Sequence, residues 1–349
     1  MIITKTPFRI SFVGGGSDLA AFYERSTGAV LSTSINKYMY ISSHKFFEPD
    51  KIRTKYSQTE TVDKLSDLNH PILRTVLEKF NIQGGLEISS IADVPGGTGM
   101  GSSSSFTVGL LHNMHAICNQ LASKESLAAG ACEIEIDLLK EPIGKQDQYA
   151  AAYGGLNVIE FLPNGHVNVD PVYMSADSRA KLEENLVMFY IGNIRSASAI
   201  LSEQRKNIGA EDKFKAMQQM VKLVYELRDN LITGKLDEMG RILHENWVLK
   251  QSLASGITNP VINEIYQTAI NNGALGGKLL GAGGGGFMLF YCPKEKQTKL
   301  KEKLSGIRPS FWLGSTCVTG PPASMRFRVG IRSCPRSFTF LPSSVVSPR

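Results

Sequence analysis

A loop with the sequence Pro95-Gly96-Gly97-Thr98-Gly99-Met100-Gly101-Ser102-Ser103-Ser104-Ser105 lies between two apolar segments. Residues 86–94 before it predict a strand, and residues 103–121 predict a helix. The four glycines of the loop allow the backbone to turn several N–H groups toward one point. At a helix N-terminus, unpaired donors and the helix dipole both favour an anion. The loop therefore indicates a nucleotide phosphate and phosphoryl transfer, with serine hydroxyls available to cap the helix or to contact a metal ion.

The length and composition favour a soluble protein of two domains. The 349 residues are enough for a large core. No run of about 18 apolar residues exists, so we expect no membrane span. Residues 1–5 do not show the basic and apolar pattern of a secretory signal, so we expect none. Five cysteines, none in a Cys-x-x-Cys pair, argue against a disulfide framework or a structural zinc site, and we expect a cytoplasmic protein.

The formal net charge of +6 comes from the C-terminal end of the chain. Residues 304–349 contain six arginines, six prolines and neither lysine nor an acidic residue. Residues 1–303 are therefore neutral overall, which argues against a nucleic-acid partner. We interpret residues 306–349 as an atypical tail, non-native or disordered, in preference to a basic interaction tail, and we expect poor packing there and a missing edge strand.

Strand and helix patterns mix without βαβ repetition, which favours an α+β fold. We expect an N-terminal domain over residues 1–155 and a C-terminal domain over residues 156–305. Predicted strands cover residues 2–13, 29–46, 86–94, 156–162, 186–192 and 287–292. Predicted helices cover residues 71–80, 103–121, 124–140, 146–153, 197–208, 212–232, 235–254, 259–272 and 294–304. Ser123 is the predicted N-cap of the helix that follows it.

Two further glycine-rich segments lie on either side of the loop in the chain. Gly14-Gly15-Gly16-Ser17-Asp18 lacks the G-x-G-x-x-G spacing of a dinucleotide site, and the 95–105 loop lacks the lysine of a P-loop. Gly281-Ala282-Gly283-Gly284-Gly285-Gly286 precedes a predicted strand instead of a helix. Taken alone, each segment is equally well explained as a tight turn.

Taken in this order, the segments resemble the three motifs of the GHMP small-molecule kinases. The first motif corresponds to residues 6–18, the second to residues 95–104 and the third to residues 278–286. The resemblance implies a two-domain kinase, with an N-terminal domain similar to ribosomal protein S5 domain 2, a ferredoxin-like C-terminal domain and the active site between them. It also implies ATP and Mg²⁺ as cofactors, and it is compatible with a homodimer.

Within this superfamily, the Gly-Gly-Gly-Ser-Asp variant and the segment Gly144-Lys145-Gln146-Asp147-Gln148-Tyr149 resemble the heptose 7-phosphate kinases. That resemblance implies transfer of a phosphoryl group to the anomeric hydroxyl of a sugar phosphate. One alternative is a GHMP kinase of another sugar, such as fucose or galactose. A second alternative is a catalytically inactive sugar or nucleotide sensor, which the presence of the carboxylates described next argues against.

The resemblance assigns Asp147 as the catalytic carboxylate, which accepts or orients the acceptor hydroxyl, and Arg9 as its cationic partner. From the residues alone, Asp147 is equally well explained as an acidic residue at a helix N-terminus, and Arg9 as a strand surface charge. Glu135 matches the family's magnesium ligand, with Ser103 as its hydroxyl partner; Ser102 is the alternative. A sparse Glu/Ser set is enough because Mg²⁺ keeps several waters.

The remaining assignments concern ATP and the acceptor. The resemblance assigns the ATP phosphates to the residues of the loop, namely Pro95, Gly96, Gly97, Gly99, Gly101, Ser102, Ser103 and Ser104. A sugar that already bears a phosphate needs a second anion pocket, for which three basic residues beside the motifs are candidates. The expected acceptor residues are Asp18, Gly15, Gly16, Lys145, Arg195, Lys278, Gly283 and Gly284. Asp18 is otherwise explained as a helix cap, and each basic residue as a surface charge.

Overall fold

A long antiparallel pair, β1 (Ile2–Val13) and β2 (Gly28–Lys45), organises the first sheet of this computed structural model, which describes residues 1–193 and 197–305. One edge of β2 pairs with β1. The other edge pairs with β5 (Leu86–Ala92) along its C-terminal half and with β6 (Leu156–Phe161) along its N-terminal half. The first glycine segment follows β1, and the β1–β2 pairing therefore places it beside the N-terminal half of β2, which pairs with β6.

Three short strands complete this seven-stranded sheet. β3 (Ile52–Lys55) pairs in parallel with β5, β4 (Thr59–Val62) pairs with β3, and β7 (Val167–Pro171) pairs with β6. The sequence patterns did not predict these three strands, because each has only four or five residues and two of them are edge strands. So short a segment shows too little alternation to be recognised.

Five helices belong to this first sheet: α1 (Ala20–Tyr23), α2 (Pro71–Lys79), α3 (Ser102–Ile117), α4 (Lys124–Cys132) and α5 (Gln146–Tyr153). Ser123 caps α4, as predicted, because its side chain accepts a hydrogen bond from the N–H of Ser126. The helix predicted over 124–140 is divided in two, because after Cys132 the chain forms a short π-helical segment, Glu133–Leu138. Such segments are frequent at functional sites, and this one contains Glu135.

A second, antiparallel sheet has the strand order β8 (Leu186–Asn193), β10 (Gly285–Tyr291), β9 (Gly276–Leu279). Its helices are α6 (Ala176–Asn185), α7 (Ala197–Asn207), α8 (Glu211–Ile232), α9 (Glu238–Gln251), α10 (Pro260–Asn271) and α11 (Gln297–Ser305). α8 also contacts β1 and β2, and α9 contacts β1 and β9, so these helices join the two sheets. Among the described helices, none combines the length and the apolar character needed to cross a membrane.

The expected domain boundary after residue 155 precedes β6 and β7, which continue the first sheet. We therefore propose a boundary after Pro171, where the chain leaves that sheet. One buried cluster contains Val30 of β2 together with Ile159 and Phe161 of β6 and Val167 of β7. The two strands therefore complete a core that residues 1–155 would leave open. The expectation for the tail, residues 306–349, concerns a segment that lies outside the described residues.

Candidate active site

The phosphate loop, residues 95–105, presents an uncapped helix N-terminus. Gly97, Gly99 and Gly101 have φ values of 74°, 81° and 71°, in the left-handed region that favours glycine. Gly101 is the N-cap of α3, and no side chain accepts a hydrogen bond from the first turn there. Serine capping, which the sequence suggested, is therefore wrong. The first-turn N–H groups of α3 keep the donors and the positive dipole end that an anion needs.

The third glycine segment lies directly against this loop. A Cβ atom on Gly281 would stand 2.4 Å from the Cα of Gly99, and one on Gly99 would stand 2.5 Å from the Leu280 carbonyl oxygen. A Cβ on Gly286 would likewise stand 2.4 Å from the carbonyl oxygen of Thr98. The two segments thus meet backbone to backbone, at distances that only glycine permits. Residues from both sheets are thereby fixed around one point.

Arg9 connects the phosphate loop to a carboxylate. Its Nε and Nη2 donate to the two carboxylate oxygens of Asp147 at 2.7 and 2.6 Å, and its Nη1 donates to the Gly99 carbonyl oxygen at 2.6 Å. This two-pronged geometry suits a guanidinium and no other cation. Asp147 also lies beside the helix N-terminus, because a Cβ on Gly101 would stand 3.3 Å from the Asp147 Cγ. The structure therefore brings the predicted catalytic pair to the α3 N-terminus.

An open cleft lies next to this pair. Its lining comprises Arg9, Gly16, Asp18, Leu19, Ile143, Gly144, Gln146, Asp147, Leu201, Gln204, Lys250, Gly281 and Ala282. The lining residues come from helices and loops that pack on the first sheet and on the second. They combine charged, amide and aliphatic groups. Such a lining suits a small polar molecule that also has a carbon skeleton.

Asp18 fixes the first glycine segment to the start of α5. Its Oδ1 accepts hydrogen bonds from the N–H of Gly16 at 2.9 Å and from the Gln146 side chain at 3.2 Å, and its Oδ2 accepts from the Gln146 N–H at 3.2 Å. Burial, and secondarily the charge of Asp147, raises the pKa of Asp18. Asp18 does not cap the helix that follows it, since α1 has no side-chain cap. It caps α5 from a distance and faces the cleft.

Two buried amide atoms at the cleft have no hydrogen-bond partner within the described residues: the donor Nε2 of Gln204 and the acceptor Oε1 of Gln146. Leaving a buried polar atom unpaired costs roughly 1–3 kcal/mol, so such atoms indicate a missing polar partner. One donor and one acceptor on a cleft that Asp18 also lines match the hydroxyl groups of a polyol, each of which can donate and accept.

Comparison with known proteins agrees with this geometry. The family model described as GHMP kinases N terminal domain matches residues 68–155, and the model described as GHMP kinases C terminal matches residues 227–307. The D-glycero-alpha-D-manno-heptose 7-phosphate kinase of Campylobacter jejuni is 30% identical over 316 residues, which cover 87% of this chain and 93% of that protein. The chain belongs to the GHMP kinase family. It is therefore a phosphotransferase, and the expected two-domain α+β fold is confirmed.

Two further relatives support the family and the fold. The bifunctional fucokinase/GDP-fucose pyrophosphorylase of Arabidopsis thaliana is 28% identical over 86% of this chain, which corresponds to 31% of that longer protein. The crystal structure of a D-glycero-D-manno-heptose 1-phosphate kinase from Bacteriodes thetaiotaomicron superposes with a TM-score of 0.72, at 24% identity, over 88% of this GHMP kinase and 93% of that chain.

The predicted metal ligands of this GHMP kinase lie together. The Ser103 hydroxyl donates to Oε1 of Glu135, and the Gln148 side chain donates to Oε2 at 2.7 Å. Burial raises the pKa of Glu135 above its usual range, although hydrogen bonds from Ser103, Ser104 and Gln148 oppose this rise. No cluster of three or more His, Cys, Asp or Glu side chains exists within residues 1–193 and 197–305. One carboxylate with hydroxyls still fits Mg²⁺, because phosphate oxygens and water complete its shell.

The second anion pocket expected from the sequence needs correction. Lys278 has only 1% of its surface exposed, and its Nζ donates to the Ser11 carbonyl oxygen at 2.8 Å. Lys145 donates to the Gly165 carbonyl oxygen at 2.9 Å. Neither lysine lines the cleft. Lys278 is thus too deeply buried to reach a phosphate in the cleft, and the Lys145 ammonium is directed to a carbonyl outside the cleft lining. Arg195 lies outside the described residues, so its assignment stays a prediction.

The glycines assigned to the acceptor have different positions. Gly16 lines the cleft, and Gly15 adjoins it, since a Cβ there would lie 3.7 Å from the Lys250 Nζ. Gly283 and Gly284 instead pack on Ile257, whose carbonyl accepts the Gly284 N–H at 3.1 Å. The third segment contributes Gly281 and Ala282 to the cleft in their place.

Sequence reasoning missed Gln146, Gln204 and Lys250, all of which line the cleft. One signal could have found Lys250. It follows Leu243 by seven residues and Trp247 by three, which places all three on one face of a helix, and both of the apolar residues are fully buried. A lysine on the apolar face of a helix is rarely buried without a specific partner. Gln146 could have been found from its place beside Asp147 in the segment 144–149, whereas nothing comparable distinguishes Gln204 in the sequence.

Proposed function

We propose that this GHMP kinase transfers the γ-phosphoryl group of MgATP to the anomeric hydroxyl of D-glycero-D-manno-heptose 7-phosphate. The observation that carries the proposal is the position of Asp147, which Arg9 holds between the uncapped N-terminus of α3 and the polar cleft. The similarity to the Campylobacter jejuni heptose 7-phosphate kinase supports the choice of sugar.

In this reaction, the anomeric oxygen forms a bond to the γ-phosphorus, and the bond between that phosphorus and the β–γ bridging oxygen breaks. The products are heptose 1,7-bisphosphate and ADP. The hydroxyl proton passes to the Asp147 carboxylate and then to solvent. Positioning and electrostatics carry most of the catalysis in such transfers. Arg9 keeps Asp147 fixed and adds positive charge beside the developing negative charge.

Glu135 and Ser103 are the residues that would hold Mg²⁺ beside the phosphate loop. When bound, the ion supplies positive charge against the phosphate oxygens. The first-turn N–H groups of α3 and the glycines of the loop would receive the ATP phosphates, because anions bind at helix N-termini.

The acceptor would occupy the cleft. Asp18 accepts hydrogen bonds from sugar hydroxyls, Gln204 donates to them, and Gln146 accepts from them. Leu19 and Leu201 offer aliphatic surface to the carbon skeleton. This set of contacts explains why the cleft contains unpaired donors and acceptors.

A second candidate is a kinase of a sugar that carries no phosphate, such as fucose or galactose. The specific observation in its favour is that Lys145 and Lys278 are both engaged by backbone carbonyls away from the cleft. The fucokinase and galactokinase relatives are compatible with it. The heptose 7-phosphate proposal therefore needs another phosphate-binding cation, and Arg195, which lies outside the described residues, stays the predicted one.

The deciding experiment is an initial-rate assay of ADP release with MgATP and, in parallel, heptose 7-phosphate, free heptose, fucose and galactose. We expect kcat/KM for heptose 7-phosphate to exceed that for free heptose by about 10- to 100-fold, the value of one charge-assisted contact. Phosphorus NMR of the product identifies the phosphorylated position. Equal turnover of free and phosphorylated heptose would refute the sugar phosphate as the preferred acceptor. Asp147→Asn serves as the inactive control.

A cytoplasmic location remains part of the proposal. It is supported by the thiols of Cys118, Cys132 and Cys292, which are free in the structure. A cell fractionation experiment would test it directly.

A further inference from the structure

Lys250 is a buried cation whose position gives it access to both halves of the site. It lies in the last turn of α9, with 5% of its surface exposed, and it lines the cleft together with Arg9, Asp18 and Asp147. No glycine motif contains it. A buried lysine must be held by specific partners, because burying an ammonium without them is costly.

The hydrogen bonds of this ammonium are incomplete. Lys250 Nζ donates to the Gly281 carbonyl oxygen at 2.7 Å, and it forms no ion pair within 4.0 Å among the described residues. An ammonium carries three N–H donors, so donors remain for a group that enters the cleft. On the same cleft, the Gln146 Nε2 donates to Asp18 at 3.2 Å, while the Gln146 Oε1 has no partner within the described residues.

The position of Gly281 shows which group these donors would meet. Gly281 touches Gly99 of the phosphate loop, backbone to backbone. Lys250 is therefore fixed beside the contact of Gly281 with Gly99, where the phosphate loop meets the cleft. Arg9 lies at the same place, and three of its five N–H donors are used by Asp147 and Gly99. Lys250, with one donor used, is a second cation of the described cleft lining that has donors left for an incoming anion.

We propose that the Lys250 ammonium binds the phosphoryl group during its transfer from ATP to the acceptor hydroxyl and stabilises the negative charge on it. The inference rests on the proposed phosphoryl transfer but not on the identity of the sugar. It assigns a catalytic role to a residue outside the three glycine motifs.

The titration of Lys250 supplies a test. Burial lowers its pKa to about 8; the guanidinium of Arg9 adds to this, while the carboxylates of Asp18 and Asp147 oppose it. Lys278, on the adjacent strand β9, is the other cationic group that faces it, and burial lowers the pKa of Lys278 well below its ordinary value. Lys250 is thus charged below about pH 8 and loses its charge above it. Turnover should fall as the pH rises through this value.

The experiment compares Lys250→Met, Lys250→Arg and the matched control Lys278→Met in kcat, KM and pH profile. We expect Lys250→Met to lower kcat about 100-fold, as for other single electrostatic contacts to a transition state, while the acceptor KM changes much less. Lys250→Arg keeps its charge at all accessible pH values, so its residual activity should lose the alkaline decline. Lys278→Met removes an equally buried amine away from the cleft, and it should lower stability but keep the alkaline decline.

A binding measurement separates this inference from the choice of substrate. In calorimetric titrations with Mg²⁺ present, Lys250→Met should bind ADP with beryllium fluoride, a mimic of the phosphoryl group, about 10-fold more weakly than the parent. Binding of ADP alone should be unchanged. Equal binding of the mimic by both proteins, or an alkaline decline that persists in Lys250→Arg, would overturn the proposal. If heptose 7-phosphate is not phosphorylated but Lys250→Met still binds ADP with beryllium fluoride more weakly than the parent, the acceptor assignment fails and the role of Lys250 stands.

Discussion

The pair Arg9–Asp147 should behave as one unit, and a double-mutant cycle of Arg9→Lys and Asp147→Asn measures this directly. Arg9 makes two hydrogen bonds to the carboxylate and one to the Gly99 carbonyl. The ammonium of a lysine lacks the planar guanidinium fork, so it can replace at most one of these hydrogen bonds with the same geometry. Asn keeps the shape of Asp147 but removes its charge and one acceptor oxygen.

The expected magnitude follows from burial. A hydrogen bond to a charged group contributes about 1.5–3 kcal/mol. The Arg9 side chain is 4% exposed, but Asp147 is 24% exposed, so water replaces part of each lost bond. We therefore expect Arg9→Lys to lower the free energy of unfolding by about 2–4 kcal/mol, and the two substitutions to couple by about 2 kcal/mol.

Urea unfolding followed by circular dichroism measures the stability cycle, and ADP release measures the kinetic one. Each single variant should lower kcat by at least about 100-fold, and the double variant should be little worse than the poorer single variant. Strictly additive losses in both assays would show that the two side chains act independently, and they would refute the reasoning.

Three further predictions concern the rest of the site. Gly281→Ala combines a left-handed φ with a backbone clash, so it should lower the free energy of unfolding by about 2–5 kcal/mol and raise the KM for ATP. The control Gly192→Ala has a similar φ but open space around the new Cβ, and it should lower the free energy of unfolding by only about 1–2 kcal/mol. Equal thermal shifts for the two variants would contradict the contact of Gly281 with the phosphate loop. Glu135→Gln should raise the Mg²⁺ concentration for half-maximal activity about 10-fold or more, while Glu133→Gln, on the surface, should not; identical Mg²⁺ titrations would remove Glu135 from the metal site. Gln204→Ala should raise the acceptor KM about 10-fold without affecting the KM for ATP, and a change in ATP alone would place the acceptor elsewhere.

The local properties of the phosphate loop could be predicted from its residues. Glycine-rich backbone at the start of a helix produces an anion site wherever it occurs, so the loop at 95–105 and its orientation toward α3 followed from local conformational rules. The resemblance that the three ordered motifs carry then implied roles for Asp147, Arg9 and Glu135, and the structure brings each of them to this helix terminus or to its first turn.

The use of each lysine was decided only by tertiary structure. Lys278 and Lys145 were both candidates for a substrate phosphate, yet their ammonium groups donate to the backbone carbonyls of Ser11 and Gly165, outside the cleft lining. Lys250 enters the cleft because α9 packs against β1 and β9. A local pattern predicts which face of a helix is buried, but it does not predict which distant carbonyl or carboxylate will be there. The pairing of charged groups depends on that distant partner, and so the chemistry of the phosphate loop could be predicted from the sequence, while the position of Lys250 could not.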